Sequence, residues 1–175
     1  MINKEISFNK EKFKQVLHFI ISKVGTLDNV GKTVIFKILY FSDFDNHELK
    51  NEPITGEKYF KLPHGPAPSH FDSAISELEK EKKVEEYKVS CGSHKDNMIK
   101  FISTSEPTLT KINAEELKII LKVIQRLSGM NATQISAYSH EDLPWKATED
   151  KKEINYDLVF YRDETYSVEE EPLVC

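Results

Sequence analysis

The hydrophobic and polar positions of the chain predict amphipathic helices packed around one helix that is apolar on nearly every side. Residues 9–24 place apolar side chains at helical spacing, with Asn9 as N-cap and with Phe8 and Phe13 positioned for a hydrophobic staple. Residues 30–47 are apolar on nearly every helical face, a pattern typical of a buried central helix. The pattern therefore predicts a helical domain built around this second segment.

The rest of the chain predicts three more helices, a β-hairpin and a short final element. These are helices over 69–83, 113–127 and 131–138, strands over 84–90 and 98–103, and an element near 156–162. Asn113 and Glu116 have the spacing of a capping box. The order helix, helix, helix, hairpin permits a winged-helix-like arrangement, so a DNA-binding regulator is one alternative function.

Composition indicates an ordinary folded domain. The chain has 175 residues, of which 39% are hydrophobic and 30% charged, so it can bury a core without disulfides or a structural metal. The N-terminus lacks the pattern of a signal peptide and no apolar run reaches membrane-spanning length, so we expect a cytoplasmic protein with no membrane partner. Cys91 and Cys175 are the only cysteines, and we expect both to be free thiols.

Charge argues against nucleic acid as a partner. The net charge is −5, and only Arg126 and Arg162 of the 24 basic residues are arginines, the side chain that reads phosphate and guanine in a bidentate way. The predicted helix over 69–83, which would be the recognition helix, carries more acidic than basic side chains. Phosphate contacts dominate nucleic-acid affinity, so we expect binding to DNA to be weak.

Prolines and glycines crowd residues 53–68, together with Tyr59, Phe60 and His64. Such a composition disfavours a helix or a central strand, and we expect a rigid loop that presents a fixed surface. Trp145, the only tryptophan, follows Pro144 and has two interpretations. It either seals the edge of the core or shares a binding surface with this loop.

Catalytic patterns are weaker. Asp43 and His47 lie one helical turn apart, and His64 and His140 could approach them from loops to share a metal. A metal-dependent hydrolase using these four residues is therefore a second alternative. The sequence contains no nucleophile elbow, no glycine-rich phosphate loop and no HExxH motif, so we do not expect an enzyme.

Several motifs, in one order along the chain, resemble a known family. They are Lys-Ile-Leu-Tyr-Phe at 37–41, Pro-Ile-Thr-Gly at 53–56, Tyr59, Gly-Pro-Ala-Pro at 65–68, Ser139-His140 and Pro144-Trp145. Together they look like the Panacea domain of SocA-like antitoxins, also labelled phage-associated proteins. The resemblance implies a mainly helical domain that neutralises a toxin encoded beside it. It implies direct binding in most members and delivery of the toxin to a cytosolic protease in one, and it defines no catalytic residues.

We therefore expect a mainly α protein: a single helical domain over 1–162 with a small β-hairpin, and an acidic tail over 163–175. We expect an antitoxin-like, non-enzymatic protein that needs no metal or other cofactor and binds a cognate toxin encoded nearby. The expected partner-binding residues are Tyr40, Asp43, Thr55, Tyr59, His64, Gly65, Pro66, Pro68, His140 and Trp145.

Overall fold

The computed structural model describes residues 5–90, 92 and 97–170, and its fold is mainly α. The helices are α1 (Lys10–Val24), α2 (Lys32–Lys50), α3 (Phe71–Lys80), α4 (Ala114–Leu127), α5 (Ala132–His140), α6 (Leu143–Lys146) and a 3₁₀ helix (Tyr156–Tyr161). The strands are β1 (Tyr59–Leu62), β2 (Gly65–Pro68), β3 (Val84–Ser90) and β4 (Asn97–Ser103). They form two antiparallel two-stranded sheets, β1–β2 and β3–β4, where the sequence predicted one hairpin.

Helix α2 lies at the centre of the fold, as its apolar pattern predicted. Every residue from Val34 to Glu48 except Phe36 is buried, because α1, α4, α5, the 3₁₀ helix and strands β2 and β4 all contact this helix. The buried set also includes polar side chains in its C-terminal half, which the hydrophobic pattern did not indicate. Each of these side chains makes at least one hydrogen bond or ion pair within the domain, although Asn46 Oδ1 and His47 Nδ1 have no partner among the described residues.

The predicted starts of α1 and α4 are confirmed, whereas the helix predicted from residue 69 begins at Phe71. The Asn9 side chain accepts a backbone N–H of the first turn of α1, and the rings of Phe8 and Phe13 lie with centroids 5.6 Å apart. At α4, Asn113 and Glu116 exchange the two reciprocal hydrogen bonds of a capping box. These local signals set where both helices begin.

The hairpin β3–β4 is also confirmed, with Val84 opposite Ser103 and Ser90 opposite Asn97. It follows α3 in the chain and contacts α3 and α1. The winged-helix-like arrangement stays a prediction. The turn of the hairpin, which contains Cys91, lies largely outside the described residues, and so does Cys175.

The loop predicted over 53–68 is instead partly a second hairpin, β1–β2. Pro66 and Pro68 stand in β2, where they face Lys61 and Tyr59 of β1. Both strands of a two-stranded sheet are edge strands. Proline is therefore tolerated in β2 at positions whose backbone nitrogen is not needed as a hydrogen-bond donor to β1. The outer side of β1 bonds instead to the chain near residue 152, through the Lys61 N–H and the Lys152 carbonyl at 2.9 Å.

Part of the segment predicted as an acidic tail packs onto the helical domain. The Tyr166 hydroxyl donates to the Tyr138 carbonyl at 2.7 Å, and the Val168 N–H donates to Glu48 at 3.2 Å. Residues 171–175 of that tail lie outside the described residues, and the boundary at residue 162 stays a prediction. In the described part of the chain, no helix combines the length and apolarity needed to cross a membrane.

Candidate partner-binding site

The ten residues expected at the binding site come from α2, the segment 54–68, α5 and α6, which contact one another. Three of them reach the surface: His64 is exposed, and His140 and Trp145 are half-buried. The other seven are buried, namely Tyr40, Asp43, Thr55, Tyr59, Gly65, Pro66 and Pro68. The partner-binding role of the set stays a prediction, and burial limits direct contact with a partner to the first three.

Asp43 anchors the segment before β1 to the middle of α2. Its carboxylate accepts the Thr55 N–H at 2.7 Å, the Thr55 hydroxyl at 2.6 Å and the Tyr59 hydroxyl at 2.7 Å. Burial raises the pKa of Asp43 to about 6, and these three hydrogen bonds oppose the rise. The carboxylate therefore serves as a fixed acceptor that positions β1.

Glu57 anchors the same segment to the start of α3. Its fully buried carboxylate accepts the His70 N–H at 2.8 Å and the Ser69 hydroxyl at 2.9 Å, and contacts His70 Nδ1 at 2.6 Å. The Phe8 ring stacks on the His70 ring at 4.0 Å. Sequence reasoning missed Glu57, because a glutamate between Gly56 and Lys58 has the pattern of an exposed turn residue.

Lys37 holds β2 against α2 from beneath. Its side chain is 1% exposed, and Nζ donates to the Pro66 carbonyl at 3.1 Å. No carboxylate pairs with it among the described residues, so desolvation lowers its pKa to about 7. The lysine of the Lys-Ile-Leu-Tyr-Phe motif is thus a buried structural link.

We expect Lys37 to make the stability of the protein depend on pH. Between pH 7 and 10 the folded protein binds fewer protons at Lys37 than the unfolded chain, because the pKa falls from 10.5 to about 7 on folding. The free energy of unfolding should therefore rise with pH by about 1.4 kcal/mol per unit between pH 7.5 and 9. In the variant Lys37→Met this increment should disappear. Urea unfolding of the wild-type protein and of Lys37→Met at these pH values measures the free energy of unfolding. An equal rise with pH in both proteins would contradict the low pKa of Lys37.

The two arginines of the chain converge on one ionic cluster at the C-terminal half of α2. The Arg162 side chain has no solvent exposure and donates to Asp45 at 2.8 Å, to Glu48 at 2.7 Å and to both oxygens of Asp142 at 2.9 Å. Arg126 reaches Asp45 at 2.8 Å from α4. We call these five residues the arginine cluster. It fastens the C-terminal segment to α2, and sequence reasoning missed it because its members are distant in the chain.

The proposed metal-binding set is not assembled. Asp43 is bonded to residues 55 and 59, and His47 Nε2 lies 2.8 Å from Asp157. His64 is at the exposed turn of β1–β2, and His140 stacks on Trp145. Within the described ranges, no three His, Cys, Asp or Glu residues are placed to hold a metal ion.

The acidic side of α3, considered for nucleic-acid recognition, is engaged with α1. Lys14 pairs with Glu77 at 3.1 Å and also with Glu81, and Lys10 pairs with Glu77. Side chains held in this way attach the helix to the domain. They give α3 no excess of positive charge with which to bind phosphates.

The β1–β2 turn, the end of α5 and helix α6 together form what we call the turn surface, made of the exposed or half-buried residues 61–64, His140 and Trp145. Leu62 is 41% exposed, and His64 lies beside it in the turn. The His140 ring stacks on Trp145 at 4.1 Å, and Lys61 Nζ lies 4.1 Å from the same ring. Trp145 packs against the core and also borders this surface, so its two interpretations are compatible.

Burial and the nearby Lys37 lower the pKa of His140. Two buried nitrogens of the turn surface, His140 Nε2 and Trp145 Nε1, have no hydrogen-bond partner in the described part of the protein. Because both nitrogens are buried, a partner does not reach them directly, and His64 is the exposed polar side chain of this surface. The turn surface therefore combines an exposed aliphatic side chain, a fixed aromatic ring and polar groups.

The comparison with protein families supports the resemblance of the motifs. The model of the family described as antitoxin SocA-like, Panacea domain matches residues 35–146. That range includes most of α2, both hairpins and helices α3 to α6. Neither the curated proteins nor the solved structures include a match to the chain. Because the family match covers more than half of the sequence, the chain belongs to the SocA-like antitoxin family with a Panacea domain.

Proposed function

We propose that this protein is a cytoplasmic antitoxin that neutralises a cognate toxin, encoded by a neighbouring gene, by binding it directly. The observation that carries the proposal is the family match over residues 35–146. Inhibition by binding requires a preformed surface and no reacting group. This suits a chain whose buried motif residues Lys37, Asp43 and Tyr59 all hold one hairpin in place.

The turn surface is the contact region in this proposal. Leu62 and Trp145 are the apolar side chains that it offers, and tryptophan is enriched among the few anchors that supply most of the binding energy of an interface. The hairpin that carries Leu62 and His64 is held by Asp43, Glu57 and Lys37, so little conformational freedom is lost on binding. His64, His140 and Trp145 touch the toxin, while the seven buried residues of the predicted set fix the backbone that presents them.

Co-expression tests the proposal. The product of the adjacent open reading frame should arrest growth when expressed alone, and the wild-type protein should restore growth. Leu62→Asp should weaken binding at least tenfold, since the loss of one hot-spot anchor costs more than about 1.4 kcal/mol. Leu27→Asp is the matched control, because Leu27 is 40% exposed and lies outside the turn surface. This variant should restore growth as the wild-type protein does.

The amount of toxin in rescued cells distinguishes direct masking from delivery to a protease. Masking leaves the toxin present in a complex, whereas delivery removes it. We expect toxin to persist at the level seen without the antitoxin. A neighbouring product that is harmless alone, or one that stays toxic beside the wild-type protein, would contradict the antitoxin proposal.

A further inference from the structure

A groove on another part of the protein has a chemistry of its own. It lies between the C-terminal turn of α2 and one face of α4, and Val168 of the C-terminal segment closes one side. Its volume is about 180 Å³. We call it the lysine groove, and its side chains are Leu49, Lys50, Lys118, Ile119, Lys122 and Val168.

The lining of the lysine groove includes an apolar stripe. Ile119 is 7% exposed, Val168 is half-buried and Leu49 is 41% exposed. Burying the exposed surface of Leu49 is favourable by about 25 cal/mol for each Å² removed from water. The stripe can therefore receive an apolar side chain of a partner.

Three lysines surround that stripe without counter-ions. Lys118 and Lys122 lie one turn apart on α4, Lys50 faces them from α2, and none of the three forms an ion pair with a described residue. Of the acidic groups that also line the groove, Asp45 is occupied by both arginines of the arginine cluster, which leaves Glu115. The lining thus holds three lysines without a salt bridge to a described residue, set against Glu115, while the acidic Glu169 and Glu170 follow Val168 in the chain.

The walls of the lysine groove are fixed in advance. Arg126 is held by Asp45 at 2.8 Å, and the Val168 N–H bonds to Glu48 at 3.2 Å. Glu48 in turn pairs with the buried Arg162. A preformed site loses little conformational entropy when it is filled, so modest contacts suffice for measurable binding.

We propose that the lysine groove binds an acidic amphipathic segment of the toxin, with an apolar side chain on the stripe and carboxylates at the three lysines. This inference rests on the proposed antitoxin function and adds a second contact to the turn surface. The two surfaces share helix α2, since β2 bonds to its N-terminal half through Lys37 and the groove borders its C-terminal turn.

Charge reversal tests the contact on purified proteins. The toxin probe is the product of the adjacent open reading frame, and its affinity is measured by calorimetry for wild type and for the double variant Lys118→Glu/Lys122→Glu. We expect at least a tenfold loss of affinity and a weaker dependence of affinity on salt. The matched control is Lys80→Glu/Lys88→Glu, which changes net charge equally on exposed positions away from the groove. The control variant should bind the toxin with an affinity less than threefold below that of wild type.

The outcomes separate this inference from the proposed function. If wild type and the groove variant bind the toxin with equal affinity, the proposed contact at the lysine groove is wrong and the antitoxin proposal stands. If wild type does not bind the toxin, both proposals are wrong. Photo-crosslinking from a benzoylphenylalanine at position 122 should label an acidic peptide of the toxin. A crosslink to a basic peptide, to this chain's own C-terminal residues or to a second copy of the chain overturns the assigned partner.

Discussion

Replacing Arg162 by methionine should destabilise the protein by about 3–5 kcal/mol, the usual cost of removing one partner of a buried ion pair. The change leaves Asp45, Glu48 and Asp142 buried near one another without their shared cation. It also removes the link between the C-terminal segment and α2. Urea unfolding at pH 7 measures the loss.

The control for this variant is Arg126→Met. Arg126 is about one-third exposed and pairs with Asp45 alone, so its loss should cost about 1 kcal/mol. The two variants should also respond differently to pH. Burial raises the pKa of Asp142 and Arg162 opposes that rise, so without Arg162 the folded state of the variant binds an extra proton at Asp142 and gains stability as pH falls from 7 to 5. An Arg162→Met protein as stable as Arg126→Met would show that the arginine cluster does not stabilise the fold.

The second large effect is expected at Gly65, where β2 begins. Its φ is +106°, a conformation that L side chains rarely adopt, and an added Cβ would lie 2.4 Å from Ser139 Oγ and 2.6 Å from Lys37 Cε. Gly65→Ala should therefore cost about 2–5 kcal/mol, from overpacking together with backbone strain. Thermal and urea unfolding measure the cost, and toxin binding should fall with it as β2 moves away from α2.

Two further variants separate crowding from general effects of alanine. Gly129→Ala meets no atom within 4 Å and has no positive φ, so it should change stability by less than about 1 kcal/mol. Ser139→Ala removes one of the atoms that crowd Gly65, so the double variant should be more stable than the sum of the single changes predicts. Strict additivity would contradict the proposed packing of β2 against α2 and α5.

The sequence predicted those parts of the fold that depend on local signals. The apolar faces of residues 30–47 identified the central helix, the capping box of Asn113 and Glu116 identified the start of α4, and the staple of Phe8 and Phe13 identified the start of α1. It missed the hairpin β1–β2, because prolines exclude a central strand but are compatible with an edge strand. Burial of Pro66 and Pro68 follows from pairing and packing that appear only in three dimensions.

For the candidate site, the partner-binding role of the ten expected residues stays a prediction. The motif residues do lie around one junction, but seven of the ten expected contacts are buried. Their hydrogen bonds join positions far apart in the chain, as between Tyr40 and Asp142, and no local pattern specifies such pairs. The motifs that carry the resemblance therefore describe mainly the framework of the hairpin. The exposed Leu62 and the lysine groove lay outside the predicted set.

The most direct test of the account is a binding measurement on purified proteins. The product of the adjacent open reading frame is titrated by calorimetry with the wild-type protein and with Leu62→Asp, and the complex is sized by light scattering. We expect a stoichiometric complex with wild type, at least tenfold weaker binding by Leu62→Asp and, in a control titration, unchanged binding by Leu27→Asp. A wild-type protein that forms no complex with a folded, toxic neighbour would contradict the account.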